Sequence, residues 1–143
     1  MDVTRLRRAP AGVRGIHAIR LLLDTHVAIW FFEDPGLLTN EAREVVEDSA
    51  NVSYLSAASV WEWALKQALG RISTPTELDA GAVRAGFEEL PVTWAHGRAA
   101  AALPALHGDP FDRILVAQAT LEDLVLLTRD RRVAQYPIAT MLA

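Results

Sequence analysis

The segment LLLDTHVAIW at residues 21–30 decides the fold class of this 143-residue chain. Its apolar start ends at Asp24, which is typical of a buried strand, and the residues from His26 to Phe32 favour a helix. An acidic residue directly after a buried strand is costly unless it has a purpose. The segment therefore predicts a strand that leads straight into a helix, with a candidate functional acid at the junction.

The rest of the chain repeats this alternation of short strands and helices. Strands are predicted at residues 19–23, 51–55 and 124–127, with a brief one at 91–93. Helices are predicted at residues 26–32, 40–47, 56–69, 80–90, 95–103 and 110–122. Strands that alternate with helices of about ten residues form βαβ units. We therefore expect an α/β fold, in which helices cover both faces of a parallel sheet.

The composition limits the class of protein. Apolar residues make up 51% of the chain and charged residues 22%, which excludes a disordered or collagen-like chain. The absence of cysteine excludes disulfide scaffolds, zinc fingers and thiol catalysis, and it fits a cytoplasmic location. The longest apolar run, at residues 99–106, is too short to cross a bilayer, so no membrane association is expected. The length predicts one domain.

Charge is distributed unevenly along the chain. The net charge is −4, but the first twenty residues contain five arginines and a single acid, so that the remainder carries −8. We predict a basic, flexible leader at residues 1–19 and one domain at residues 20–143. A start codon placed too early would give the same pattern, and a basic tail that holds a polyanion is the alternative. The acidic body is compatible with an enzyme that approaches phosphates through metal ions.

Four acidic residues lie where predicted strands end or helices begin. Asp24 follows the first strand, and Asp130 lies just beyond the last predicted one. Glu62 belongs to a helix that starts at the carboxyl end of a strand, and Asp112 lies in the first turn of a later helix. Ligands of parallel α/β sheets bind outside the carboxyl ends of the strands. We therefore expect these four carboxylates at one rim of the sheet.

Converging carboxylates predict a cation site. Two like charges about 4 Å apart repel by several kcal/mol at an effective dielectric constant near 20, so the site must take up protons or cations. Oxygen ligands with no histidine or cysteine nearby favour Mg²⁺ or Mn²⁺ over zinc. Such an ion activates water and polarises a phosphoryl oxygen. The chemistry that fits this arrangement is hydrolysis of a phosphodiester.

Several of these acids also have a purely structural explanation. Asp109, which precedes a proline, is a strong helix N-cap, and Asp112 in the first turn complements the helix dipole. Glu62 and Lys66 are spaced as an ordinary solvated ion pair. Asp130 is surrounded by arginines that it could simply neutralise. Each residue alone is a weak signal, and their shared rim is what favours a site.

The other charged residues are less informative. Histidines 26, 96 and 107 share no metal-ligand spacing, although His26 lies close enough to Asp24 to touch the site. Four arginines near the predicted rim either grip a phosphate backbone or form a solvated charge run: Arg113, Arg129, Arg131 and Arg132. The sequence does not distinguish these two interpretations.

From about residue 20 onwards, the chain resembles the PIN-domain ribonucleases, and most of all the VapC-type toxins of bacterial toxin–antitoxin pairs. The matching segments are LLLDTHVAIW at 21–30, SAASVWEWALK at 56–66, GDPFDRILVAQA at 108–119 and LLTRDRR at 126–132. The resemblance implies a three-layer α/β fold with a central parallel sheet. It also implies an acidic quartet that holds Mg²⁺ or Mn²⁺, carried over as Asp24, Glu62, Asp112 and Asp130.

Within this quartet, the resemblance implies that Asp24 and Asp112 are the central metal ligands. We expect Asp130 to be a further ligand and Glu62 to orient a ligand water or a second ion. The implied activity is cleavage of cellular RNA, commonly tRNA or ribosomal RNA, which arrests translation. The implied partners are a second copy of the chain and a cognate antitoxin whose segment blocks the acidic pocket. Asp109 and Thr128 are candidates for an assisting role.

Two alternatives remain open beside the toxin. One is a non-catalytic binding module with a PIN-like fold, and the other is a PIN nuclease outside toxin–antitoxin systems. An aspartyl phosphatase is disfavoured, because the residue two positions after Asp24 is His26 rather than a second aspartate. A dinucleotide-binding module is disfavoured as well, since no glycine-rich turn follows the first strand.

Overall fold

The computed structural model describes residues 19–143, which form a five-stranded sheet with six helices. The strands are β1 (Arg20–Leu23), β2 (Val52–Ser56), β3 (Glu88–Leu90), β4 (Val125–Thr128) and β5 (Thr140–Leu142). All neighbouring strands are parallel, in the order β3-β2-β1-β4-β5. The sequence order reverses on either side of the central strand β1, and such a switch point is where parallel sheets bind ligands.

The helices cover both faces of this sheet. They are α1 (Thr25–Glu33), α2 (Asn40–Glu47), α3 (Ala57–Ala68), α4 (Leu78–Arg84), α5 (Trp94–Ala102) and α6 (Pro110–Leu121). Leu21 and Leu23 point into one core with residues of α1 to α4, whereas Leu22 points into a second core with α6. Helix α5 packs on α6. The predicted three-layer α/β fold is confirmed.

Polar side chains at the strand–helix junctions explain why the helices begin where they do. Asp24 and Ser56 lie at the ends of β1 and β2, and each accepts a hydrogen bond from a backbone N–H of the following helix. Thr39 caps α2, and Asp109 caps α6 next to Pro110. The sequence therefore directs the chain from strand to helix with little connecting loop, and this brings the helix starts to the carboxyl edge of the sheet.

Two predicted elements differ from the structure. The predicted helix at residues 80–90 ends at Arg84, because Gly86 adopts a left-handed backbone with φ of 77° and forms a Schellman cap. In this cap the N–H of Gly86 donates to Val83 and the N–H of Phe87 donates to Ala82. The chain then forms strand β3, so the brief strand predicted at residues 91–93 is wrong by three residues.

A fifth strand, β5, was not predicted, because its three residues carry no alternating or strongly apolar pattern. The predicted leader at residues 1–19 lies, apart from Ile19, outside the described residues. Within residues 19–143, no helix is both long and apolar enough to cross a membrane.

Candidate active site

The four acids predicted to share a rim line a single pocket at the carboxyl edge of the sheet. The pocket has a volume of about 290 Å³, and its walls also include His107, Asp109 and two arginines. The structure thus brings together Asp24, Glu62, Asp112 and Asp130 from four separate parts of the chain. Their proximity follows from the parallel topology, because β1, β2 and β4 all end at this edge.

Asp24 is held at the junction of β1 and α1. Its Oδ1 accepts a hydrogen bond from the Val27 backbone N–H at 2.8 Å, and its Oδ2 accepts one from the Thr128 hydroxyl at 2.5 Å. The Asp24 N–H donates to the Leu127 carbonyl, which continues the β1–β4 pairing. Burial raises the pKa of Asp24, although the hydrogen bonds from Thr128 and Val27 act in the opposite direction.

Glu62 lies on α3 and is almost fully buried, with 2% of its surface exposed. The ammonium group of Lys66, one turn later, lies 2.5 Å from Glu62 Oε2. The expected ion pair therefore forms, but the carboxylate is buried in the pocket wall rather than solvated. The charge of Glu62 raises the pKa of both Asp24 and Asp112, so this group belongs electrostatically to the cluster.

Asp112 has the most perturbed environment of these acids. Helix α6 begins with Asp109, whose Oδ1 accepts hydrogen bonds from the backbone N–H groups of Phe111 and Asp112. Asp112 follows in the first turn, so that two carboxylates lie side by side at the helix start. Burial, followed by the charges of Asp109 and Asp24, raises the pKa of Asp112 to about 7. The pocket therefore contains more negative charge than the described residues neutralise.

Asp130 lies just beyond β4 in a more open environment. Its backbone N–H donates to the Thr128 hydroxyl oxygen at 3.0 Å, and its Oδ1 accepts the Arg132 backbone N–H at 2.9 Å. Partial burial acts to raise the pKa of Asp130, but hydrogen bonds from Arg132 and His107 outweigh it and lower the pKa. Asp130 is therefore ionised at neutral pH.

His107 is a pocket residue that the sequence analysis did not single out. Its Nε2 lies 2.8 Å from Asp112 Oδ2 and 2.9 Å from Asp130 Oδ2. Its spacing from the other histidines gives no metal motif, and its position in a turn before the α6 cap was the only available signal. His26, which the sequence placed close enough to Asp24 to touch the site, lines the pocket.

The arginines near the pocket have different roles. Arg113 points inward and donates hydrogen bonds to the carbonyl oxygens of Ala100, Leu103, Pro104 and His107. Neither interpretation of Arg113, the phosphate grip or the solvated charge, agrees with this internal role. Arg129 lies over the Trp30 ring at 4.8 Å, and Arg132 pairs with Asp130, so both remain in the pocket wall.

The donor set fits a hard divalent cation. Asp24, Glu62, Asp112 and Asp130 supply carboxylate oxygens, and the raised pKa values of Asp24 and Asp112 indicate a need for positive charge. Potential ligand atoms of His107, Asp112 and Asp130 lie within 4.8 Å of one another. The Nδ1 of His107 accepts the Asp109 N–H at 3.1 Å, however, so a neutral ring carries its proton on Nε2. A cation in this pocket would therefore be held by the carboxylates rather than by the imidazole.

The fold and the pocket together define an α/β protein with an acidic, cation-type site at the carboxyl ends of parallel strands. The profile of the PIN domain family matches residues 21–139, and the chain belongs to this family. Over 119 residues it is 29% identical to Ribonuclease VapC22 from Mycobacterium tuberculosis, a match that covers 81% of this chain and 91% of that protein.

Solved structures share the fold at low sequence identity. VapBC2 from Rickettsia felis, bound to a promoter DNA fragment, aligns with a TM-score of 0.64 at 12% identity, covering 86% of this chain and 97% of the other. DNA-bound VapBC from Salmonella typhimurium aligns with a TM-score of 0.60 at 16% identity, covering 86% and 96%. A toxin–antitoxin complex from Klebsiella pneumoniae aligns with a TM-score of 0.57 at 21% identity, covering 82% and 92%.

Proposed function

We propose that this chain is a Mg²⁺- or Mn²⁺-dependent endoribonuclease and the toxin component of a toxin–antitoxin pair. The observation that carries the proposal is the convergence of four carboxylates in one pocket, where burial and neighbouring charges raise the pKa of Asp112 to about 7. The ribonuclease that is 29% identical to this chain supports the choice of RNA as the substrate class. We propose tRNA or ribosomal RNA as the target.

In this proposal Asp24, Asp112 and Asp130 hold the cation, and Glu62 orients a water molecule in the pocket. When bound, the cation neutralises phosphate charge and makes a coordinated water more acidic. Thr128 and Val27 fix the Asp24 carboxylate, and Lys66 fixes that of Glu62, so these acids keep their positions without substrate. Arg129 and Arg132, in the pocket wall, contact the phosphates that flank the scissile bond.

The hydrolysis itself is an in-line displacement. The oxygen of the water forms a bond to phosphorus while the bond from phosphorus to the 3′ oxygen breaks. The leaving oxygen takes up a proton, which yields a 3′-hydroxyl and a 5′-phosphate. We propose that the RNA enters the pocket as a single strand, because sequence-specific RNA recognition usually targets unpaired loops.

The proposed partners are a cognate antitoxin and a second copy of the chain. Structures with the same fold were solved as VapBC or toxin–antitoxin complexes, which supports an antitoxin for this chain. A pocket with excess negative charge attracts a basic segment, so we propose that the antitoxin inserts an arginine or lysine between the carboxylates. The proposed location is the cytoplasm.

The experiment is cleavage of total bacterial RNA by the purified chain in Mn²⁺, beside the double variant Asp24→Asn/Asp112→Asn. We expect discrete fragments from the wild type and none from the variant or in EDTA. The matched control is Glu88→Gln/Glu89→Gln, which removes two exposed charges from β3, outside the pocket, and should cleave as the wild type does.

Other outcomes separate the alternatives. Intact RNA from folded wild-type chain that binds Mn²⁺ would make the protein a non-catalytic binding module. If the chain cleaves RNA and no protein encoded by an adjacent gene inhibits it on co-expression, the protein is a PIN nuclease outside toxin–antitoxin systems.

A further inference from the structure

His107 connects two carboxylates that come from distant parts of the chain. Asp112 lies at the start of α6, and Asp130 lies in the loop after β4. One nitrogen atom, His107 Nε2, is within 3 Å of an oxygen of each: 2.8 Å for Asp112 and 2.9 Å for Asp130. The residue is buried, with 6% of its surface exposed, and it lines the pocket. The histidine is therefore a bridge between two candidate cation ligands.

The hydrogen bonds of the ring determine which nitrogen donates. Nδ1 accepts the backbone N–H of Asp109 at 3.1 Å, so this nitrogen offers a lone pair. In a neutral imidazole the proton then resides on Nε2. This N–H donates a hydrogen bond to Asp130 Oδ2 at 2.9 Å, and Asp112 Oδ2 lies 2.8 Å from the same nitrogen.

The main chain of His107 is held as firmly as its ring. Its N–H donates to the Tyr136 hydroxyl at 3.1 Å, and its carbonyl oxygen accepts a hydrogen bond from Arg113 at 3.1 Å. The Tyr136 hydroxyl in turn donates to the Pro104 carbonyl at 3.0 Å. Both partners come from outside the turn, namely from α6 and from the segment between β4 and β5. The ring is therefore fixed before any ligand arrives.

We propose that His107 is a positioning residue that holds Asp112 and Asp130 at the separation needed to bind one divalent cation. The proposal rests on the cation site of the proposed function. Two carboxylates this close repel each other, so without a bridge they move apart. The cation must then bring them back together when it binds. A fixed imidazole that bonds Asp130 and contacts Asp112 keeps the two carboxylates together in advance. Groups that orient metal ligands in this way typically change metal affinity 10- to 100-fold when they are removed.

The test is Mn²⁺ affinity, measured by isothermal titration calorimetry on the full chain and three variants. His107→Asn keeps an acceptor near Nδ1 for the Asp109 N–H but is too short to reach both carboxylates. His107→Gln extends an amide N–H to the position of Nε2. We expect His107→Asn to weaken Mn²⁺ binding at least tenfold and His107→Gln to remain within about threefold of the wild type.

His96→Asn is the matched control. His96 is also buried, its Nδ1 accepts a backbone N–H from Thr93 at 2.9 Å, and its Nε2 lies 3.4 Å from a Glu122 oxygen, yet it is not part of the pocket. We expect this variant to lower the thermal stability without changing Mn²⁺ affinity, which separates positioning from folding.

Two results overturn the role of His107 while leaving the cation site intact. One is wild-type affinity in a folded His107→Asn variant, and the other is equal weakening by asparagine and glutamine. If the wild-type chain binds no Mn²⁺ at all, the cation site of the proposed function is wrong, and the role of His107 is wrong with it.

Discussion

The Thr128 hydroxyl donates a hydrogen bond to Asp24 across 2.5 Å and accepts the Asp130 backbone N–H at 3.0 Å. Thr128 is fully buried at the end of β4, beside the end of β1. One side-chain oxygen therefore connects two of the candidate acids through the adjacent strands that carry them. The position of Asp24 relative to the loop of Asp130 is set within the sheet itself, and does not depend on a flexible surface loop.

Replacing Thr128 with valine should weaken cation binding. Valine has nearly the same shape but no hydroxyl, so Asp24 Oδ2 and the Asp130 N–H both lose their partner. We expect about a tenfold loss of Mn²⁺ affinity by calorimetry and a loss of stability of about 1–3 kcal/mol, while Thr128→Ser stays close to the wild type. Unchanged affinity in a folded valine variant would show that this hydroxyl does not organise the site.

Without metal, the chain should become less stable as the pH rises from about 4 to above 7. The pKa of Asp112 is raised to about 7 in the folded state and is near 3.9 in the unfolded chain, so the folded state binds more protons within this window. The free energy of unfolding then falls with pH, by at most about 1.4 kcal/mol per pH unit for one proton. Asp24 acts in the same direction, whereas Asp130, with its lowered pKa, acts only at more acidic pH.

Urea unfolding at pH 5, 6, 7 and 8 in EDTA measures this dependence. Asp112→Asn should flatten the slope, because the residue that takes up the proton is gone. Excess Mn²⁺ should also flatten or reverse it, since a cation stabilises the ionised carboxylates. If the wild type and Asp112→Asn show the same slope, Asp112 is not the group that takes up the proton.

Asp109 should contribute to stability through its helix cap. Its Oδ1 accepts the Phe111 N–H at 2.8 Å at the start of α6. Asp109→Ala should lower the free energy of unfolding by about 1 kcal/mol, and Asp109→Asn should keep most of the cap. Chemical denaturation of both variants provides the measurement. If alanine and asparagine destabilise equally, the cap is not the source of the effect.

Arg113→Lys should destabilise the chain although the charge is kept. The guanidinium group of Arg113 donates to four carbonyl oxygens around the end of α5, among them Ala100 at 2.9 Å and Leu103 at 2.8 Å. A lysine ammonium group cannot satisfy this forked geometry, so buried carbonyls lose their donors. We expect a loss of about 1–3 kcal/mol in thermal or urea unfolding. Wild-type stability combined with weaker RNA binding would restore the phosphate-gripping interpretation.

The part of the fold that the sequence predicts is the part governed by local rules. The apolar runs of β1 and β4 and the helix cap at Asp109 are recognisable without tertiary information. Strands β3 and β5 are not, because each has three residues and gains its identity only from pairing with a longer neighbour. The end of α4 depends on a left-handed glycine that the sequence pattern of residues 80–90 conceals.

The same distinction applies to the site. The location of an acid that follows a strand or begins a helix can be predicted from the sequence, because parallel topology brings these ends of the elements together. His107 was not singled out, because its contacts with Asp112 and Asp130 depend on how the turn before α6 packs against the loop after β4. Arg113 was misinterpreted for the same reason, as its carbonyl partners lie on another helix and the loop that follows it.

The outermost strand β3 has a consequence for how copies of the chain can associate. An edge strand exposes backbone groups that invite pairing with another sheet, and proteins counter this with short strands and charged residues. Strand β3 has three residues, two of which are the exposed neighbours Glu88 and Glu89. If β3 of a second copy paired with this strand, the glutamate pairs of both copies would lie side by side. Neither strand has a basic residue to neutralise them. Aggregation by sheet extension is thereby discouraged at this edge.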